Sequence, residues 1–168
     1  MSTAQEQVEI RFATSADAAL LLEMIRELAA FEQLTHDVSA TEEKLRETLL
    51  NPGGYAHALL AFARDEPAGF AVYFFSYSTF GAKPVLYLED LFVRLPFRKR
   101  GFGQQLFTYV VGIAAQEGCS RVDWSVLDWN SEAMAFYERQ GARAYREWIK
   151  FSLQKDQFKV PIPSCRSN

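Results

Sequence analysis

One stretch constrains this chain more than any other: residues 85 to 117, which read VLYLEDLFVRLPFRKRGFGQQLFTYVVGIAAQE. A strand-like run from Val85 to Arg94 breaks at Pro96 and enters a basic turn, Arg98-Lys99-Arg100-Gly101-Phe102-Gly103. That turn opens directly into a helix-like run from Gln104 to Glu117. The leading N–H groups of a helix have no internal acceptor, and the helix dipole adds partial positive charge at the same end. Gly101 and Gly103 let the backbone turn tightly and keep side chains out of the way of an approaching phosphate. Such a turn is either a solvated strand-to-helix connection or a cradle for an anion. Glycines, three cations and a helix start at one point favour the cradle and a phosphate-bearing ligand. A P-loop would need G-x-x-x-x-G-K-[ST], and a dinucleotide fingerprint would need G-x-G-x-x-G. Neither is present.

The 168 residues, 49% of them hydrophobic, suit a single domain over residues 1–168 with a core at about 8–153. A net charge of −3 argues against nucleic acid as a partner, so the basic cluster at 98 to 100 is a local feature. Cys119 and Cys165 have neither CxxC nor metal-ligand spacing, and His36 and His57 have no spaced partner ligands. No metal is expected. The opening MSTAQEQVEI carries no apolar signal core, and no run approaches the roughly 18 apolar residues of a membrane span. A soluble, cytoplasmic protein without membrane partners is the expectation.

Val8, Ile10 and Phe12 alternate with polar neighbours and predict a strand over 8–13. Thr14 or Ser15 caps a helix whose Ala18, Leu21, Leu22, Ile25, Leu28 and Ala29 share one face, ending near Phe31-Glu32. Ser39 and Glu42 have capping-box spacing before a helix at about 40–50, stopped by Asn51-Pro52-Gly53-Gly54. Strand-like runs at 56–64 and 69–77 form a hairpin around Asp65-Glu66-Pro67-Ala68. Further strands are predicted over 121–127 and 144–153, with a helix at about 131–140 between Asn130 as cap and Gly141 as stop. The tail, 154–168, reads as loosely ordered. The class is α+β, a mixed and mostly antiparallel sheet flanked by helices.

Glu89 and Asp90 stand between apolar residues in the strand, where alternation sends them to opposite faces. A carboxylate placed there needs a partner or a chemical task. On the residues alone, an arginine-paired strand-end acid and a functional acid are equally good readings. Tyr137, on the same terms, is a tyrosine packing a short helix.

The segments YLEDLFV, RxxGxG, LDWN and AFYERQGA, in that order over residues 8 to 153, resemble the GNAT acyltransferases. More narrowly they resemble the diamine branch, the spermidine/spermine and thialysine N-acetyltransferases. The resemblance implies the GNAT acyl-CoA N-acyltransferase fold, acetyl-CoA as cosubstrate, and direct acetyl transfer to a small primary amine. It assigns proton removal to Glu89, amine binding to Asp90, and protonation of the departing thiolate to Tyr137. It places the pyrophosphate on Arg98, Lys99, Arg100, Gly101, Phe102, Gly103 and Gln104. It lays the pantetheine along Leu91, Phe92 and Val93 as an added strand, with Phe136 packed against the pantetheine and Asn130 hydrogen-bonded to the coenzyme A arm; Arg139 either approaches a coenzyme A phosphate or lies on a solvated helix face. Glu32 and Trp148 match substrate-side residues. The loop from Phe31 to Asp37 carries fewer acids than the polyamine enzymes have, which points towards a thialysine-like amino acid or a smaller diamine. A homodimer is implied by the family alone. An acetyltransferase for protein N-termini or lysines, or a coenzyme A sensor without turnover, stands as the alternative.

Overall fold

The computed structural model describes residues 8–158, and Cys165 and most of the tail lie outside them. The chain forms two compact units, one up to Ser125 and one from Val126. The first holds a five-stranded sheet in the order β1 (Val8–Phe12), β2 (His57–Ala63), β3 (Glu66–Ser78), β4 (Lys83–Val93) and β5 (Val122–Asp123). The first three pairings are antiparallel and the last is parallel. The expected mixed, mostly antiparallel α+β arrangement is what is found.

Helices α1 (Ala18–Phe31) and α2 (Glu42–Thr48) cover one face of this sheet. Ala18, Leu21, Leu22 and Met24 of α1 and Leu45 of α2 pack on Ala58, Leu60, Phe70, Val72 and Phe92, all buried. Spacing of three and four residues gives α1 its apolar stripe, and alternation gives the strands theirs. Helix α3 (Phe102–Gln116) buries Phe102, Leu106, Phe107, Val110 and Ala114. At the edge near the basic turn, Phe97 and Phe102 join Ala63 and Ala68 in a second cluster.

Two ionic braces tie distant segments together. Arg11 of β1 grips Asp17 through two hydrogen bonds at 2.8 and 2.9 Å, and this partner holds the Asp17 carboxyl far below the usual range. Arg94, one residue past β4, bonds Glu27 of α1 at 2.7 and 3.0 Å and also bonds Glu23. Helix α1 is thereby fixed to the end of β4.

Helix α1 closes with Leu34 N on Ala29 O and Gln33 N on Ala30 O, the pattern of a Schellman cap. The left-handed position, normally glycine, is held by Gln33 at φ 62°. Helix α3 closes in the same way on Gly118.

Several boundaries differ from expectation. Thr41, not Ser39, caps α2, accepting from Lys44 N at 3.2 Å, and α2 stops at Thr48 rather than 50. The β2–β3 turn is Arg64-Asp65, because left-handed Arg64 (φ 56°) reverses the chain early enough for Glu66 to pair with Ala63. Helix α3 begins at Phe102, two residues before the expected start, since Gly101 at φ 88° is already its cap. The strand expected over 121–127 pairs with β4 only at Val122 and Asp123. The strand expected over 144–153 does not form. Tyr145, Trp148, Ile149, Phe151 and Leu153 are exposed, so the alternation there meets neither a ladder nor a core.

Candidate active site

The acidic part of the site depends on an irregularity in β4. The β3–β4 register slips by one residue: Val72 faces Asp90, while Tyr73 faces Leu88. Glu89 is the extra residue of a β-bulge, a device that re-aims side chains. Glu89 is exposed, whereas Asp90 is partly buried and shares the α1 side of the sheet with its partner Val72 and with Phe92.

Burial, followed by the charges of Glu89 and Glu32, pushes the Asp90 carboxyl up to about 7. Glu32, at the C-terminal cap of α1, is itself raised by burial. The charges of Glu32 and Glu89 thus both act on the Asp90 carboxyl. A carboxylate near 7 is better matched to taking a proton from an ammonium at neutral pH than one near 4. That property belongs to Asp90, although the resemblance gives proton removal to Glu89.

Beyond the bulge, β5 leaves β4 after the Leu86–Val122 and Tyr87–Asp123 pairs. Among the described residues no strand then pairs with the β5 side of β4 from Leu88 to Val93. Leu91, Phe92 and Val93 lie along that edge, where an extended ligand has backbone groups to pair with.

The edge runs into the basic turn. A 3-10 turn, Leu95–Phe97, follows Arg94, and the backbone then takes left-handed values at Lys99 (φ 61°) and Gly101 (φ 88°) on either side of Arg100. Alternating hand of this kind makes a concavity of N–H groups. Phe102 and Gly103 N–H precede the first helical bond of α3, Gln105 N to Gly101 O at 3.0 Å. The three cations are not equivalent. Arg100 donates to Pro96 O at 3.0 Å and lies over the rings of Phe97 and Phe102, while Lys99 is exposed. Arg98 donates its Nε to Val93 O at 2.9 Å and lies over Phe31 and Phe92. Its backbone N–H is engaged by Leu95 O at 3.2 Å. What the turn presents is backbone amides more than arginine side chains.

In the second unit, helix α4 (Ser131–Arg139) carries the remaining candidates. Asn130 caps it, its Oδ1 accepting from Ala133 N at 3.1 Å, and Gly141 (φ 85°) ends it as expected. Phe136 and Tyr137 rings meet edge-on with centroids 5.1 Å apart, and Arg139 lies in the last turn. Burial raises the Tyr137 hydroxyl to about 12, so it remains a proton donor throughout the neutral range. Trp148 is 80% exposed and belongs to no strand.

Sequence reasoning missed the bulge, the Arg94 brace and the placement of the Arg98 side chain. Glu23 and Glu27, four residues apart on α1, were the available signal for the brace. A near-continuous apolar run around Glu89-Asp90 offered none for the bulge.

A model of the acetyltransferase (GNAT) family matches residues 21–142. The chain is 32% identical to L-ornithine N5-acetyltransferase of Arabidopsis thaliana, across 90% of this chain and 86% of the other. It is 38% identical to thialysine N-epsilon-acetyltransferase of Caenorhabditis elegans, across 77% and 79%. Among solved structures, an integron cassette protein of V. cholerae superposes with a TM-score of 0.76 at 26% identity, covering 89% of this chain and 94% of that one.

Proposed function

Since this chain belongs to the GNAT acetyltransferase family, we propose that it acetylates the primary amine of a small diamine, polyamine or thialysine-like amino acid, by direct attack in a ternary complex. Acetyl-CoA supplies the thioester. The chain's own residues then have three tasks. The turn from Arg98 to Gln104 holds the pyrophosphate through its amides, and the open edge at Leu91, Phe92 and Val93 aligns the pantetheine; Asn130, Phe136 and Arg139 are the further coenzyme contacts that the family resemblance assigns. The acids Glu32, Glu89 and Asp90 draw the cationic amine. An ammonium with a lysine-like pKa of about 10.4 is almost wholly protonated at neutral pH, and only the free amine is a nucleophile. Glu89 relays its proton, and Asp90, near 7, is poised to store it. Tyr137 donates a proton to the thiolate as it leaves.

The observation that carries this reading is the meeting of Glu32, Glu89 and Asp90 in one electrostatic group at the bulge of β4, next to its unpaired edge. Thiol release from acetyl-CoA across a panel of small amines, with a peptide N-terminus and a peptide lysine for comparison, tests it. Release that is strongest with a small diamine or diamino acid is expected. Release confined to the peptides would sink the substrate assignment, and none with any amine would leave only a coenzyme A sensor. The same reading carries the expectation of a cytoplasmic homodimer, whose mass sedimentation velocity measures directly.

A further inference from the structure

The open edge of β4 has two ends. One runs into the turn at Arg98, and the other is the last pair of the β4–β5 ladder, Tyr87 with Asp123. At that closed end the two strands are joined once more, by side chains. The Tyr87 and Ser125 hydroxyls are hydrogen-bonded at 2.8 Å across 38 positions of sequence. Ser125 stands two residues past the last backbone pair, so the bond carries the join beyond the end of the ladder. Both partners are steered to this contact. Phe74 pairs with Tyr87 across β3 and β4, and their rings lie 5.1 Å apart at 31°. Phe74 is two residues from Val72, so Tyr87 shares the face that carries Asp90. Trp124 turns to Phe107 of α3, ring centroids 5.4 Å apart, and alternation sends Ser125 to the opposite face, where it meets Tyr87.

A coenzyme anchored by its pyrophosphate in the turn and by its pantetheine along Leu91 to Val93 runs towards lower numbers on β4. Its thioester end reaches the bulge at Glu89 and Asp90, and the acyl chain beyond it points at the Tyr87–Ser125 bridge. We propose that this bridge sets the length of acyl chain that is accepted, by closing the inner end of the gap between β4 and β5 behind a two-carbon group. The inference rests on the reading of the turn and the open edge as an acyl-CoA site. Tyr87 and Ser125 are positioning residues, acting through the width of the gap and taking no part in proton transfer.

Acetyl-CoA and propanoyl-CoA test it, with the best acceptor of the small-amine panel, in the unaltered protein, Tyr87→Phe, Ser125→Ala and the double variant. The readout is the ratio of kcat/KM for propanoyl-CoA to that for acetyl-CoA. Any general loss of activity or stability cancels in this ratio. A closed pocket rejects one extra methylene by roughly 10-fold or more, so the unaltered protein should give a ratio of about 0.1 or below. Breaking the bridge from either side should raise the ratio roughly 2- to 10-fold, the worth of one hydrogen bond. The double variant should match the single ones, because all three lack the same bond. A ratio near one in the unaltered protein overturns the closed inner end. A low ratio that neither single variant raises, or effects that add in the double variant, overturns the role of the bridge. No turnover of either thioester overturns the acetyltransfer reading, and this inference with it.

Discussion

The acid group and the basic turn lie at two ends of one strand segment, and they are made in opposite ways. The turn is assembled from consecutive residues, with left-handed Lys99 and Gly101 aiming backbone amides at a point. The acid group takes Glu32 from the end of a helix and Glu89 and Asp90 from a register slip more than fifty residues later. Backbone sites of the first kind tolerate changes of side chain and fail when the backbone is altered. Side-chain sites of the second kind respond to single charges and to pH.

The sharpest way to test this division is to remove each part and measure both ligands. Replacing Glu89 by Gln and Asp90 by Asn together should lower kcat/KM for the amine by roughly 10²–10⁴-fold. Acetyl-CoA affinity, read by calorimetry, should stay within about threefold. A comparable loss of acetyl-CoA affinity would mean that the two ends are not separable. Tyr137→Phe should reduce turnover by about 10²-fold or more through loss of its proton, again with little change in acetyl-CoA binding. Unchanged turnover would remove Tyr137 from the mechanism.

The next effect is on stability. The Asp90 carboxyl is raised from an ordinary value near 3.9 to about 7, so folding favours its protonated form. Its contribution is fully present below about pH 4 and is lost as pH rises through about 7. Asp90→Asn should therefore flatten the stability profile between pH 4 and 7. Above pH 7 the variant should be the more stable protein by roughly 2–4 kcal/mol, as read from urea midpoints. A variant less stable than its parent at pH 8 would contradict the burial argument. The smallest effect compares the left-handed turns at the two ends. Gln33→Gly and Lys99→Gly each relieve a side chain in the left-handed region, worth roughly 1 kcal/mol before the added chain entropy is subtracted. Both should raise the urea midpoint slightly. A gain at one position and a loss at the other would show that the second is held by contacts and not strained.

The same contrast explains what could be read from the chain before folding. The basic turn, α3, and α4 with its Asn130 and Gly141 ends were legible, since each is encoded by neighbours in sequence. The bulge was not, because Val85 to Val93 is apolar almost throughout and a slip leaves no mark on such a run. Alternation at Ile149, Phe151 and Leu153 misled for the converse reason: a strand pattern states a preference, and a ladder partner is needed to realise it. Glu32, Glu89 and Asp90 were each named from the sequence by resemblance, yet their mutual influence on Asp90 required the fold.

The clamp of Arg94 on Glu23 and Glu27 has a bearing on how such a protein diversifies. It joins the helix that ends at Glu32 to the strand that carries Asp90, outside the loop between α1 and α2. Residues 33 to 41 can then be lengthened, shortened or rewritten while the distance between the negative charges is preserved. The loop is thereby uncoupled from the spacing of those charges.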